Sequence, residues 1–372
     1  MSAAVRRQRR FYGLLCGIRD VGGLRETVGV MDFPVRLWTP GWPLDMLAVI
    51  GGLSRGHGDP TSRRDPDGTI WRGIRTPQGP STLRLRLVEG SVVEAAACGP
   101  GADWVLASVP AMLGDLDDPT GFVAHHTQVA EAARRFSGWR VPRTGLVLEA
   151  LAPSIIAQRV TGQEASGSYR ALVHRYGERA PGEGGARGLW VAPNASGWAR
   201  IPSWEWLRAG VDGARSAAVV RAAGAAGRLE QCVDLAPDEA DRRLRAIPGI
   251  GVWTAAEVRH TALGDPDAVS FGDYHVARSI GWALTGCEVD DDGLAELLEP
   301  YMGHRYRVQR LLELAGAMRP RRGPRMPLRT HLPHRFRPQT SGRCGWFGGN
   351  PRDGAGGLPA NLGTVRVCRW QT

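Results

Sequence analysis

The chain has 372 residues, enough for two or three compact domains, and 42% of them are hydrophobic, an ordinary share for a protein that buries a core. Its formal charge of +10 and sequence pI of about 10.0 favour a polyanionic partner, with nucleic acid ahead of an anionic membrane surface. No stretch is long and apolar enough to span a bilayer as a helix, and the six cysteines contain no C-x-x-C pair, which argues against a zinc ribbon, an iron–sulfur loop or a disulfide framework. A reducing cytoplasm is the expected compartment.

All 47 Lys+Arg residues are arginine. A GC-rich genome accounts for most of that bias, although arginine also suits phosphate forks.

Residues 1–30 are Arg- and Gly-rich with little periodicity and are expected to form a disordered leader outside the fold. The apolar run Phe11–Ile18 is interrupted by Gly13 and Gly17 and has no small-x-small cleavage site after it, so it does not read as a signal peptide. Residues 31–122 are expected to form a small α+β sheet domain. Phe33–Trp38 reads as a strand and Leu44–Leu53 as a helix, while Thr69–Ile74 and Thr82–Val88 alternate at period two around the turn Thr76–Pro80. Arg84 and Arg86 share one face of that hairpin, a solvated outer face in preference to a DNA-facing one.

Residues 123–318 are expected to be all-α, in two helical subdomains. Helical segments are predicted at 125–136, 146–163, 167–176, 204–209, 213–226, 237–246, 252–263, 273–283, 294–301 and 305–318, with Gly or Pro at nearly every junction. Residues 319–372 read as a basic, Gly/Pro-rich disordered tail.

The most informative stretch is Leu244-Arg-Ala-Ile-Pro-Gly-Ile-Gly-Val-Trp-Thr-Ala-Ala-Glu-Val258, a helix end, a tight hairpin and a new helix in succession. Pro248 ends the first helix. Gly249 and Gly251 permit positive φ and close approach of backbone to a ligand, and the first N–H groups of the next helix carry partial positive charge suited to a phosphate. Ile247 and Ile250 are expected to anchor the hairpin in the core. Downstream, Asp273 stands at the predicted start of a helix, within Val269-Ser-Phe-Gly-Asp-Tyr-His-Val-Ala-Arg278. An aspartate there is either an N-cap or a functional acid, and the hairpin upstream favours the second.

Hairpin and aspartate together resemble the helix–hairpin–helix, Gly/Pro-rich, single-aspartate superfamily of DNA glycosylases, and within it the bacterial 3-methyladenine DNA glycosylase II class. The similarity extends over residues 31–318, with Trp38–Leu47 and Thr69–Ile74 resembling the N-terminal sheet domain of that class. It implies an α+β sheet domain followed by a mainly all-α helix–hairpin–helix domain. The implied partner is double-stranded DNA carrying a damaged base, bound by a monomer in the bacterial cytoplasm, at the nucleoid and not at a membrane. Residues 247–251 would hold the DNA backbone and Asp273 would act in catalysis. Trp253, Glu257 and Tyr274 would line the base pocket, and Gln158 and Arg159 would fall where a wedge residue enters the DNA. No metal bound by side chains and no organic cofactor is implied, but a monovalent cation on the hairpin carbonyls 247–251 is.

Breaking an N-glycosidic bond builds positive charge on the sugar, which a fixed carboxylate such as Asp273 can stabilise while water attacks. Its place at a helix start would favour the ionised form. Relatives that also cut the strand carry a lysine two residues after the second hairpin glycine. Here that residue is Trp253, so hydrolysis by water is expected. A cationic alkylated purine would stack on this indole and leave without a general acid.

The chain departs from the family pattern in two places. Glu257 replaces an aromatic pocket residue and would either face a cationic base or amino group or pair with an arginine such as Arg278. Gln158-Arg159 replaces an apolar wedge. His275 is expected to make a hydrogen bond at the helix start. Excision of an oxidised, deaminated or mismatched base, and a non-catalytic DNA-binding module, stand as alternatives.

Overall fold

The computed structural model describes residues 33–317 and residue 319. The expected leader, 1–30, and all of the expected tail except Arg319 lie outside the described residues.

Strands β1 (Val35–Trp38), β2 (Ser62–Arg64), β3 (Ile70–Thr76), β4 (Gly79–Val88) and β5 (Val92–Cys98) pair antiparallel in the order β1-β5-β4-β3-β2. Period-two alternation sends Leu83, Leu85, Val93, Ala95 and Ala97 to one face. There they bury with Met46, Val49 and Ile50 of helix α1 (Met46–Gly51) and Val105, Val109 and Met112 of helix α2 (Ala102–Met112). On β4 and β5, Arg84 and Arg86 meet Glu94 at 3.1 and 2.7 Å, an ion pair within the sheet.

Helix α2 and strand β5 were not predicted. Pro110 sits in the last turn of α2. The Leu106 carbonyl, which Pro110 leaves without its usual i+4 donor, accepts from Arg36 Nη1 at 2.9 Å.

The helical part begins with α3 (Thr127–Arg135), α4 (Val147–Ile156) and α5 (Gly162–Tyr176). A small two-stranded sheet follows, β6 (Glu178–Arg179) with β7 (Trp190–Val191), and α6 (Gly182–Ala186) lies between its strands. Next come α7 (Ala195–Ala199), α8 (Ser203–Arg208), α9 (Gly213–Gly224), α10 (Ala226–Glu230), α11 (Pro237–Arg245) and α12 (Val252–Val258). The last three are α13 (Val276–Thr285), α14 (Asp291–Leu298) and α15 (Arg305–Ala315).

One predicted helix is divided, and another keeps its extent but changes its winding. The segment 146–163 is not one helix: α4 stops at Ile156, and Thr161 opens α5 with a capping box to Glu164. That T-x-x-E signature is readable in the sequence and marks the break. The segment 252–263 is helical throughout, but its last turn, Arg259–Leu263, widens to a π turn that Gly264 ends at φ +73°.

Helix α4 is the axis of one core. Leu151, Ile155 and Ile156 are fully buried among residues of α5, α9 and α12. It also joins this core to the sheet, because Glu149 Oε2 accepts from the Arg75 N–H of β3 at 3.0 Å while Oε1 lies 3.5 Å from Arg72 Nη2. Burial pushes the Glu149 carboxyl above its usual range despite those partners.

Helix α15 closes the fold from the other end. Tyr306 and Leu311 enter the sheet core, whereas Val308 and Leu312 pack with α13, α14 and Val129 of α3. Between them, Arg307 forms a two-bond pair with Asp117, Nη2 to Oδ1 at 2.7 Å and Nη1 to Oδ2 at 2.9 Å, with only 3% and 1% of the side chains exposed. Removing one partner strands the other charge in the interior. Arg307→Met is therefore expected to lower the unfolding free energy by about 3–5 kcal/mol. Urea denaturation checks this; a loss under about 1 kcal/mol would mean the pair does not hold the join.

Candidate active site

Between α11 and α12 the hairpin is closed by short backbone bonds, Ile247 N to Leu244 O at 3.2 Å and Ile250 N to Ile247 O at 3.0 Å. Ile250 is buried and Ile247 packs partly buried against the same helical core, so both anchor the turn. Pro248, Gly249, Gly251 and Val252 are exposed. The two glycines are not equivalent. Gly249 has φ +94°, and a Cβ there would lie 2.8 Å from Ala218 Cβ of α9. Gly251 is extended at φ −94° with open space around it, so the expectation of positive φ at both holds only for Gly249.

Two side chains brace the exposed tip. Arg221 Nε of α9 donates to Pro248 O at 3.0 Å. Gln158 Nε2 donates to Gly249 O at 2.9 Å and to Thr254 Oγ1 at 2.8 Å, so this residue ties the end of α4 to the hairpin. Its neighbour Arg159 is exposed and adopts φ +54°, the left-handed region that residues with a Cβ seldom occupy. Of the two residues placed at the wedge position, Gln158 faces the hairpin and Arg159 faces out.

The partly buried face of α12 meets the segment 270–273 at two points. Trp253 Nε1 donates to Asp273 Oδ2 at 3.1 Å, and one turn further along α12 Glu257 Oε1 accepts from Ser270 Oγ at 2.7 Å. The other oxygen of Asp273, Oδ1, accepts from the His275 and Val276 N–H groups at 2.8 and 3.2 Å. Helix α13 thus starts at Val276, three residues later than predicted, with the aspartate bonded to the turn that leads into it.

Burial pushes the Asp273 carboxyl above the ordinary aspartate range, and the nearby Glu257 charge adds to this; the two backbone N–H bonds oppose it without reversing it. The helix start alone predicted the opposite sign. Desolvation is the larger effect here, and the Glu257 charge acts in the same direction.

Glu257 does not pair with Arg278. That arginine bonds Tyr274 O at 2.6 Å, lies over the Tyr274 ring at 4.2 Å and reaches Glu288 at 3.5 Å. Tyr274 is 68% exposed, and its ring meets that of His275 edge-on at 4.9 Å. The hydrogen bond expected of His275 at the helix start is made by its backbone N–H. Supporting roles of Ser270, Thr254 and Arg221 were not foreseen. Their spacing from the motif carries no periodic signal, since each bond joins segments brought together only by the fold.

Trp253 donates to the ionised form of Asp273, so its loss should raise the carboxyl further. A carboxyl-detected NMR titration should find Asp273 above its usual 3.8, and higher still in Trp253→Phe. An unchanged or lower midpoint in the variant would show that the indole does not hold the ionised acid.

The sequence matches no protein-family model and no curated protein. Solved structures do match. A 3-methyladenine DNA glycosylase from Archaeoglobus fulgidus superposes with a TM-score of 0.63 at 17% identity, covering 74% of this chain and 97% of that one. MBOgg1 in complex with a low-affinity DNA ligand gives 0.59 at 14% identity over 76% and 97%. The Clostridium acetobutylicum 8-oxoguanine glycosylase/lyase, in complex with double-stranded DNA containing cytosine opposite 8-oxoguanine, gives 0.58 at 11% over 76% and 97%. Identities this low speak for the fold alone. They speak for it over both the sheet and the helices, and this chain has the fold of the helix–hairpin–helix DNA glycosylases.

Proposed function

We propose that the protein is a base-excision repair DNA glycosylase that flips damaged bases out of double-stranded DNA and hydrolyses the N-glycosidic bond, leaving an abasic site. The observation that carries this reading is Asp273, a half-buried carboxylate fixed by three N–H donors beside an exposed hairpin. A DNA clamp has no need of a desolvated acid, which weakens the non-catalytic alternative.

In this reading residues 247–251 present backbone to a DNA phosphate, and Arg221 behind Pro248 adds positive charge at the tip. Arg159, exposed at the end of α4, is the better placed of the two wedge candidates. With its oxygens fixed, Asp273 stabilises charge that develops on the sugar and orients the attacking water. No lysine exists anywhere in the chain, and Trp253 occupies the position of the lyase amine, so a lysine Schiff base is excluded and the enzyme is monofunctional.

Among the hairpin carbonyls, Pro248 O and Gly249 O accept from Arg221 and Gln158, and Ile247 O and Gly251 O from the Ile250 and Ala255 N–H groups, so a monovalent cation on carbonyls 247–251 would share these acceptors. No step of the reaction runs through it. The preferred substrates are alkylated purines of the 3-methyladenine and 7-methylguanine type, whose positive charge makes the base a ready leaving group.

Incubation with duplexes carrying single alkylated, deaminated or oxidised bases, followed by alkali, should reveal abasic sites at the alkylated purines and no strand breaks before alkali. Asp273→Asn should keep DNA binding and lose excision by on the order of 10²- to 10³-fold. Absence of abasic sites with every lesion would leave only a binding role.

A further inference from the structure

The face of α12 that presents Trp253 carries a second carboxylate, Glu257, that the proposed chemistry leaves unused. Its surroundings fix both its protonation pattern and the one oxygen left open.

The chain of constraint begins at Gln309, buried on α15. Its Oε1 accepts from Ser270 N at 3.2 Å and its Nε2 donates to Glu313 Oε1 at 3.0 Å, which sets the amide orientation. The same Nε2 lies 3.4 Å from Ser270 Oγ, so the Ser270 hydroxyl is an acceptor on that side and turns its own proton to Glu257 Oε1 at 2.7 Å. His260 approaches the same oxygen, Nε2 at 3.4 Å, with its ring stacked on Tyr306 at 4.0 Å and an interplanar angle of 12°. Glu257 Oε1 is thus committed to accepting.

Glu257 Oε2 accepts no hydrogen bond among the described residues, and 15% of the side chain is exposed. Burial alone would push this carboxyl up. The His260 ring beside it, the Ser270 hydrogen bond and the Arg55 charge outweigh burial and hold it below the usual range. It is a fixed, ionised acceptor on the same helix face as Trp253, close enough to Asp273 for their charges to interact.

Building on the glycosylase reading, we infer that Glu257 is the base-selecting residue, whose open Oε2 favours a flipped purine carrying positive charge over a neutral base that presents only acceptors. A desolvated carboxylate gains from a cation and is repelled by acceptor lone pairs. The base loses its charge as the bond to the sugar breaks, while the sugar gains it. Glu257 therefore acts on capture of the base, and Asp273 on the cleavage step.

Glu257→Gln isolates this effect, because it keeps an Oε1 to accept from Ser270 and replaces only the open acceptor with a donor. Single-turnover excision is followed on duplexes with one 7-methylguanine, which is cationic, or one 1,N6-ethenoadenine, which is neutral and presents no N–H donor. With 7-methylguanine the half-saturating enzyme concentration should rise about tenfold or more, and the plateau rate should stay within about threefold. With ethenoadenine there should be no such loss. Ser270→Ala, which loosens Glu257 without removing its charge, should shift 7-methylguanine in the same direction by less. Unchanged affinity of both variants for a duplex with a stable abasic analogue would confirm that the fold is intact.

An equal change on both lesions, or a fall in plateau rate alone, would overturn the assignment of Glu257 while leaving the glycosylase reading in place. No excision by the unaltered protein of any lesion would overturn both.

Discussion

The site depends on holding a carboxylate out of water without losing its acceptor geometry. Asp273 meets that constraint with one side-chain and two backbone N–H groups, and the segment that carries it is tied down along its length. Asp265 pairs with Arg259 on the π turn, Asp267 with Arg305 at the start of α15, and Gly272 N donates to Asp291 of α14 at 2.9 Å. Ser270 then joins both Glu257 and Gln309. A loop with so many fixed points can keep an acid in position through the charge changes of a reaction, which is what electrostatic stabilisation requires.

Such placement has a thermodynamic consequence. An aspartate whose carboxyl is raised on folding binds its proton more tightly folded than unfolded, so it lowers stability as pH rises from the unfolded value through the folded one. The fold offsets this elsewhere, in the buried cores around α4 and α2 and in the Arg307–Asp117 pair. In the proposed function this destabilised acid is the working group, and its Oδ1 also bonds the turn into α13.

Local chemistry explains which parts of this were readable from the chain. Strands β3 and β4 declare themselves by alternation, and the Pro248–Gly251 hairpin by residue types that admit few other uses. The chain break after Ile156 was written as Thr161-Gly-Gln-Glu164, but the apolar run before it masked the cap. Helix α2 was hidden by Pro110, whose tolerance depends on Arg36 seventy positions away. Ser270 was hidden as a partner of Glu257 for the same reason: it meets Glu257 only because the 270–273 segment, held by Gln309 of α15, packs on α12, whereas His260 is an i,i+3 neighbour on the same helix. Even the direction of the Asp273 shift needed tertiary information, since a helix start and a desolvating indole push it opposite ways.

The central claim is that a fixed carboxylate directs water, and no amine of the protein, to the sugar. Excision from a 7-methylguanine duplex, with borohydride added to trap any imine, tests it directly. The account predicts abasic product with no protein–DNA cross-link and no strand break before alkali. A trapped cross-link would contradict it.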